Sequence, residues 1–317
     1  QRTTAVGAAA KATGDSASAF GNFAEAAGAS ATAIGRSSTA GFENATALGS
    51  NSNAGAIGST AAGRAAQATG EDSVAVGIAA AASSVHATAV GADSDASGNN
   101  ATALGAHSDA SGNNSTSLGS NSTANAAGAT AIGRAADATA RDTVAVGRRS
   151  TASDQFATAI GADSTASGFN SAALGRNTTA SQASSTAVGN GANATGVQSL
   201  AVGTSAFATN TGSTAVGVLS RADGSSASAF GTNSIADGNL STALGTQARS
   251  QGASSVAIGF NSQATDQFAT AVGTAANATG FNSAAFGRNS RATQASSSAM
   301  GNGANATGVQ SLAVGTS

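Results

Sequence analysis

Residues 157–170 read ATAIGADSTASGFN, and this fourteen-residue unit recurs along the whole chain. Counting back from Gly315 in steps of fourteen reaches glycine at all 23 positions, the last of them Gly7. The residue before each of these frame glycines is apolar, and the residue two before is alanine everywhere except at Ser117. A period held this strictly predicts a repeat architecture made of stacked copies of one short unit.

A second, longer repeat overlies the first. The sequence GANATGVQSLAVGTS occupies residues 191–205 and again residues 303–317, and residues 154–205 align with residues 266–317 without a gap. The offset of 112 residues equals eight units of fourteen, so the duplication keeps the frame. We interpret residues 1–317 as a single repetitive domain that contains this block duplication.

The composition excludes several classes of protein. Aromatic residues make up 3% and charged residues 9% of the chain, and Trp, Tyr, Pro and Cys are absent, so neither a thick core nor disulfides can form. The net charge is −2 with no basic tract, which argues against nucleic acid as a partner. No apolar stretch approaches the roughly 20 residues of a spanning helix, so we expect no direct membrane insertion.

Each unit predicts two short β-strands. Alternation and β-branched residues indicate a first strand before the frame glycine, as at residues 157–160, and a second strand follows at residues 164–167. Helix is excluded because each interior glycine costs a helix about 1 kcal/mol. Two strands and two turns per fourteen residues predict an all-β parallel β-solenoid of about 22 coils.

A volume argument assigns the faces of the first strand. The second strand directs only Ala, Ser or Thr into the interior. Because packed sheets lie about 10 Å apart, we expect the first strand to supply the larger side chains that fill the space between the two strands. This places the apolar residue of each unit in the interior, where Phe20, Phe230 and Phe286 would be structural, and the alanine row outward in a close-packed interface between chains. The opposite assignment also requires an oligomer. The structural frame is represented by Gly77, Gly161, Gly259, Ala75, Ala159, Ala257, Val76, Ile160 and Ile258.

The repeats resemble a known family. The runs DSVAVG at residues 72–77 and SSVAIG at residues 254–259, each followed by x-x-[AS]-x-A, resemble the NSVAIGxxS repeats of YadA-like heads of trimeric autotransporter adhesins. The resemblance covers essentially all 317 residues. In 13 of the 23 units Thr stands where the family motif has Val, a difference that argues against collagen binding in particular.

The resemblance implies a fold, an assembly and a location. The expected fold is a left-handed parallel β-roll, assembled as a homotrimer and displayed on a Gram-negative cell surface beyond the outer membrane. The signal peptide, neck, stalk and membrane anchor of such type V secretion proteins are expected to lie outside this chain. The implied partners are host extracellular matrix proteins, such as collagen, fibronectin or laminin, or host-cell receptors.

Motifs of catalysis or cofactor binding are weak in this sequence. Residues 189–194 match G-x-G-x-x-A, but the next strand begins too soon for the helix that a dinucleotide site needs. No G-x-S-x-G motif occurs, and the only possible bases, His86 and His107, occupy different places in the unit, which argues against a triad or a histidine metal site. Asp95 and Asp109 are equivalent in adjacent units, about 5 Å apart, where a solvated polar face is favoured over a cation site. We predict no catalytic, cofactor-binding or metal residues.

Candidate contact residues are aromatic and basic. Eight phenylalanines lie outside the apolar position, and a broken row of arginines directly follows the frame glycine. Either set could meet a ligand or a neighbouring chain. The candidates for ligand or inter-chain contact are Phe156, Phe169, Phe207, Phe260, Phe268, Phe281, Arg134, Arg148, Arg176 and Arg288.

The predicted function is that of a non-enzymatic adhesin head, a virulence-type surface protein that attaches to host cells or matrix by multivalent contact. Two alternatives stay open: a passive spacer of a surface fibre, and an ice-binding β-solenoid with threonine ladders. The ice-binding hypothesis is disfavoured because threonines such as Thr158, Thr186 and Thr214 share parity with the residue assigned to the interior.

Overall fold

A computed structural model describes residues 2–316 of the chain, which form a parallel β-solenoid of about 22 turns and no helix. The predicted fold class is thereby confirmed. The fold divides into two compact units, residues 2–162 and residues 163–316, which are described separately below. The end residues of the predicted single domain, Gln1 and Ser317, lie outside the described residues, and the single domain stays a prediction.

Every turn contributes a three-residue strand to sheet A and a two-residue strand to sheet B. The sheet A strands of the first unit are Thr4–Val6, Ser18–Phe20, Thr32–Ile34, Thr46–Leu48, Thr60–Ala62, Val74–Val76, Thr88–Val90, Thr102–Leu104, Thr116–Leu118, Thr130–Ile132, Val144–Val146 and Thr158–Ile160. Its sheet B strands are Lys11–Ala12, Glu25–Ala26, Thr39–Ala40, Asn53–Ala54, Gln67–Ala68, Ala81–Ala82, Asp95–Ala96, Asp109–Ala110, Thr123–Ala124, Asp137–Ala138 and Thr151–Ala152.

The second unit repeats the same scheme. Its sheet A strands are Ala172–Leu174, Thr186–Val188, Leu200–Val202, Thr214–Val216, Ser228–Phe230, Thr242–Leu244, Val256–Ile258, Thr270–Val272, Ala284–Phe286, Ser298–Met300 and Leu312–Val314. Its sheet B strands are Thr165–Ala166, Thr179–Ala180, Asn193–Ala194, Phe207–Ala208, Arg221–Ala222, Ile235–Ala236, Arg249–Ser250, Gln263–Ala264, Asn277–Ala278, Arg291–Ala292 and Asn305–Ala306.

Strands pair in parallel with their own copy one turn away. In the first unit Ala75 lies opposite Ala89 and Val76 opposite Val90. In the second unit Ala257 lies opposite Ala271. Insertion of a single residue would move every side chain of a strand to the other face of its sheet, which explains why the frame is strict.

The frame glycines occupy a backbone conformation that other residues rarely adopt. At Gly259 φ is +124°, and a Cβ added there would lie 2.7 Å from the carbonyl oxygen of Gly273 in the next turn. Gly77, with φ of +141°, has the same arrangement against Gly91. Both the dihedral angle and the close approach of successive turns therefore require glycine at this place.

The interior contains only small side chains. Ala75, Ala159 and Ala257 are fully buried, and the largest fully buried residues are Thr143 and Thr178. The side chains of Val76 and Ile160 instead face outward, with 38% and 43% of their surface exposed, and Ile258 is half-buried. The predicted face assignment of sheet A is therefore wrong, and the opposite assignment is correct.

The thinness of the coil explains the correction. The hydroxyl oxygens of Ser117 and Ser122, which come from opposite sides of one turn, lie 2.7 Å apart, and those of Ser250 and Ser255 lie 2.6 Å apart. Side chains with a single atom beyond Cβ thus already touch across the interior. The spacing of about 10 Å applies to sheets that carry larger side chains, so no space remains inside for Val or Ile.

The correction also applies to the three phenylalanines that were predicted to lie in the interior. Phe20, Phe230 and Phe286 point outward, with Phe20 39% exposed. They belong to the same outward row as Val76, and they do not fill the core.

Many buried serines make local hydrogen bonds, although the hydroxyls of Ser115 and Ser241 have no partner among the described residues. Ser73 donates its hydroxyl to the carbonyl oxygen of Gly70 at 2.7 Å, and Ser150 donates to that of Gly147 at 3.0 Å. Each hydroxyl thus pairs with a turn carbonyl three residues earlier, so burial of the hydroxyl leaves no unpaired group there. Serine can therefore replace alanine at these interior positions.

Candidate binding surfaces

An apolar row follows the outward face of sheet A in each unit. It consists of the residue before each frame glycine, as in Leu48, Leu104 and Ile160 of the first unit and Leu244 and Met300 of the second. The side chains of Leu48 and Leu244 are 49% and 47% exposed. Contiguous exposed apolar side chains of this kind are typical of an interaction surface.

Threonines form a second row on this outward face, two residues before the apolar row. Thr158, Thr186 and Thr214 are half-buried on the outward side of their strands. They do share parity with the apolar row, as expected, but both rows point away from the interior. The inference that the threonines are directed inward was therefore wrong.

The predicted arginines lie at the turn that ends sheet A. Arg134, Arg148, Arg176 and Arg288 are all exposed and directly follow a frame glycine, so they border the apolar row. Nε of Arg288 donates a hydrogen bond to Oδ1 of Asn302 in the next turn at 3.3 Å. This placement suits contact with carboxylates, but a ligand or inter-chain role stays a prediction.

The predicted phenylalanines are distributed over several surfaces. Phe156 and Phe268 occupy the left-handed position of a turn, with φ of 61° and 60°. The rings of Phe268 and Phe281 meet edge to face with centroids 5.8 Å apart. Two of the remaining candidates lie elsewhere, Phe207 on the outward face of sheet B and Phe260 directly after the frame glycine Gly259. Phe169 is 46% exposed at the turn position equivalent to Phe281. The candidates of the second unit consequently do not form one site.

Sheet B of the second unit carries a groove that the sequence analysis missed, apart from Phe207. Two adjoining cavities of about 440 and 600 Å³ share Leu219, Arg221 and Asn233 in their walls. Beyond these three residues, the walls contain Phe207, Thr209, Asp223, Ile235, Gln247, Arg249, Asn261 and Gln263. A run of large side chains in consecutive coils, at the fourth position after the frame glycine, was the available signal.

Acidic residues on sheet B of the first unit lie close together. Asp95 and Asp109 are direct neighbours in the strand register, as predicted. Burial, and secondarily the carboxylate of Asp109, raises the pKa of Asp95, while a hydrogen bond with Ser97 lowers it. Burial also raises the pKa of Asp137. Among residues 2–316, no three His, Asp or Glu side chains lie close enough to hold a metal ion.

The two histidines lie at different turns. Nε2 of His86 is 3.8 Å from an oxygen of Asp72, and Nδ1 of His107 is 3.9 Å from an oxygen of Asp93. Both pairs are well exposed and each joins adjacent coils. The structure does not bring the two histidines together.

In the described part of the chain, no helix has the length and apolar character needed to cross a membrane.

Comparison with known families identifies the repeat. The model of the YadA head domain repeat matches twelve segments that cover nearly the whole chain. The matched segments are residues 1–24, 26–52, 54–80, 82–108, 110–136, 138–164, 166–192, 194–220, 222–248, 250–276, 278–304 and 292–317. The chain belongs to the YadA head-repeat family. This YadA-like head therefore has the adhesin-type function of the trimeric autotransporter family, whose heads are surface-exposed parts of the adhesin.

A solved structure is also similar to the YadA-like head. It is the crystal structure of the collagen-binding domain of the Yersinia adhesin YadA, with 26% sequence identity over 51% of this chain and 67% of that chain. The TM-score is 0.22. No curated protein matches the chain.

Proposed function

We propose that this YadA-like head is a non-enzymatic homotrimeric adhesin that attaches to host cells or extracellular matrix on the outer surface of a Gram-negative cell. The observation that carries the proposal is the apolar row on the outward face of sheet A, taken together with the family match over nearly the whole chain. A row of exposed apolar side chains that recurs from coil to coil is stabilised when an interface buries it from water. Other copies of the same chain can form this interface, because their apolar rows have the same repeat.

Assembly also compensates for the small interior. Alanine and serine bury little apolar area, so each coil gains little from the hydrophobic effect on its own. Burial of Val, Ile, Leu, Phe and Met side chains between chains adds the missing apolar area. Three chains then present three copies of every outer surface, and weak contacts made together give strong attachment.

Two measurements test the proposal in order. Light scattering of the purified head at two concentrations is expected to give a mass near three times 29.3 kDa. The trimeric head is then applied to immobilised fibronectin, laminin and collagen and to host cells. Saturable binding that a monomeric variant lacks supports the adhesin, whereas a trimer that binds none of these surfaces contradicts attachment and leaves the spacer.

The outward threonines support one alternative function. The rows of Thr and of Val, Ile or Leu lie side by side on the exposed face of sheet A, which is the kind of surface that an ice binder needs. The adhesin is favoured because Thr is present in only 13 of the 23 units and because a trimer would cover this face. Thermal hysteresis of the purified head distinguishes the two: activity supports ice binding, and its absence supports the adhesin.

A further inference from the structure

The groove on sheet B of the second unit has a regular construction. One wall consists of Phe207, Arg221, Ile235, Arg249 and Gln263, which lie opposite one another in successive turns. The other wall is the row two residues closer to the frame glycine, where side chains also recur once per turn. The groove therefore runs across the strands, with about 4.8 Å between successive side chains.

The walls alternate in chemical character. Leu219 is 50% exposed and Phe207 is 37% exposed, and half-buried Ile235 lies between the two arginines. Asn233 and Gln247 add amide groups that donate and accept hydrogen bonds. The groove thus offers apolar contact, amide hydrogen bonding and positive charge within a few turns.

The two arginines differ in how they are held. Nε of Arg221 pairs with a carboxylate oxygen of Asp223, whose other oxygen accepts a hydrogen bond from the Thr209 hydroxyl at 2.8 Å. Within residues 2–316, the guanidinium of Arg249 makes neither an ion pair nor a side-chain hydrogen bond. The lining therefore contains two cations and one anion, and the positive charge left without a partner is on Arg249.

The residues that line the groove lie outside the duplicated block of the sequence. They all fall between residues 206 and 265, the segment that separates the two copies of the duplicated block. In the first copy, the equivalent outward positions carry the short side chains Thr165, Thr179 and Asn193. Single large side chains such as Arg291 recur on this row outside the segment, but an unbroken run of five, from Phe207 to Gln263, occurs only here, and the frame does not require it.

We propose that this groove binds an extended acidic peptide segment of a partner protein, with a carboxylate on Arg249 and apolar side chains against Phe207, Leu219 and Ile235. Charge complementarity favours an acidic partner, because an arginine without a carboxylate gains most from a bidentate ion pair. The apolar wall favours a peptide over a sulfated glycan, which has no apolar side chains and needs several uncompensated cations. The amides of Asn233 and Gln247 suit the peptide backbone.

This inference rests on the proposed function, because it names the class of partner that the head would hold. The test uses the complete head and fluorescence anisotropy with labelled ten-residue peptides. One peptide combines Glu with Leu and Phe, a second combines Glu with Ser, and a third combines Lys with Leu and Phe. A sulfated heparin oligosaccharide is the fourth probe.

The expected result is that the Glu/Leu/Phe peptide binds at least about tenfold more tightly than the other three probes. Arg249→Gln and Ile235→Thr should each weaken this binding about tenfold. Arg291→Gln is the matched control, since Arg291 lies on the same row of sheet B outside the groove, and it should leave binding unchanged. Circular dichroism of each variant checks that the fold is retained.

Three results would overturn the inference: no binding of the acidic apolar peptide, tighter binding of the oligosaccharide, or equal losses in Arg249→Gln and Arg291→Gln. Attachment of the same preparations to matrix proteins and cells separates this failure from failure of the proposed function. If the head attaches to matrix proteins or cells but binds no peptide, only the proposal for the groove is overturned. A head that binds the peptide but attaches to nothing overturns only the adhesin.

Discussion

At the residue scale, the position of the frame glycine imposes two requirements that only glycine meets. Gly35 has φ of +132°, and an added Cβ would lie 2.5 Å from the carbonyl oxygen of Gly49. Gly41 belongs to the same coil, yet an added Cβ there meets nothing within 4 Å. Two glycines six residues apart therefore have different structural roles.

Gly35→Ala should destabilise the head by about 2 kcal/mol or more, because both backbone strain and a clash with the next turn must be relieved. Gly41→Ala should change stability by no more than about 0.5 kcal/mol. Urea unfolding followed by circular dichroism measures both. Equal destabilisation by the two substitutions would contradict this account of the frame.

The carboxylate of Asp95 gives a pH-dependent prediction. Its pKa is raised in the folded protein above its ordinary value of 3.8, so the ionised form is less favourable in the native state than in the unfolded chain. Stability is consequently lost as the pH rises from 3.8 through the raised pKa. Asp95→Asn should therefore stabilise the head at pH 7, by no more than about 1 kcal/mol for this partly exposed group.

Thermal unfolding between pH 2.5 and pH 7 checks this expectation, and the gain from Asp95→Asn should disappear at the acid end, about one unit below the ordinary pKa. Asp237→Asn, at an exposed position on the second unit, controls for the loss of one negative charge. A gain that persists at low pH would show that ionisation of Asp95 is not its cause.

At the element scale, the coil is defined by how closely its two sheets approach. Ala75 lies between Ala61 and Ala89 in the register, all three fully buried. The hydroxyl contact of Ser117 with Ser122 shows that a single heavy atom beyond Cβ already fills the space between the sheets. Alanine therefore occupies this row because the coil is too thin to hold a larger side chain between its two sheets.

Ala75→Val should destabilise the head by about 1–3 kcal/mol, because two further methyl groups enter a filled interior. Thr88→Val provides the control, since Thr88 lies one turn away on the outward face of sheet A and the change preserves its shape. The control should shift the urea midpoint by little. Comparable losses from both variants would contradict the inward direction of the alanine row.

The sequence allowed the frame, the strands and their parallel pairing to be predicted, because a fixed period and the positions of glycine determine them together. The faces of sheet A could not be assigned correctly, since that required the distance between the sheets, which depends on turn geometry. Val76 and Ala75 alternate under either assignment. The groove was not predicted, although large residues such as Arg221 and Arg249 recur in consecutive coils. The outward positions of sheet B vary along the chain, and whether their side chains enclose a groove depends on side-chain conformations that cannot be read from the sequence.

At the scale of the whole molecule, the apolar row determines how the head assembles. Ile34, Leu48, Leu104 and Leu118 all lie on this row within the first unit, and each is at least 38% exposed. These residues come from two pairs of adjacent coils, with three coils between the pairs that carry Ala62, Val76 and Val90 at the same position. A partner chain that covers this face would remove several of them from water at once.

The combined variant Ile34→Ser, Leu48→Ser, Leu104→Ser and Leu118→Ser should lower the mass in solution towards 29.3 kDa at equal concentration. The control replaces Thr39, Thr123 and Thr151, which face outward on sheet B, with serine and should leave the mass unchanged. Light scattering measures both proteins. An unchanged mass in the first variant would place the interface elsewhere.

The uniform interior has a consequence for how the gene can change. Every coil offers its neighbours the same small inner side chains, so almost any coil can follow any other. Unequal recombination that adds or removes whole multiples of fourteen codons would then alter the number of coils without creating a new kind of internal contact. The duplication of residues 154–205 as residues 266–317 has this form. Length can thus vary between generations while outward side chains diverge coil by coil.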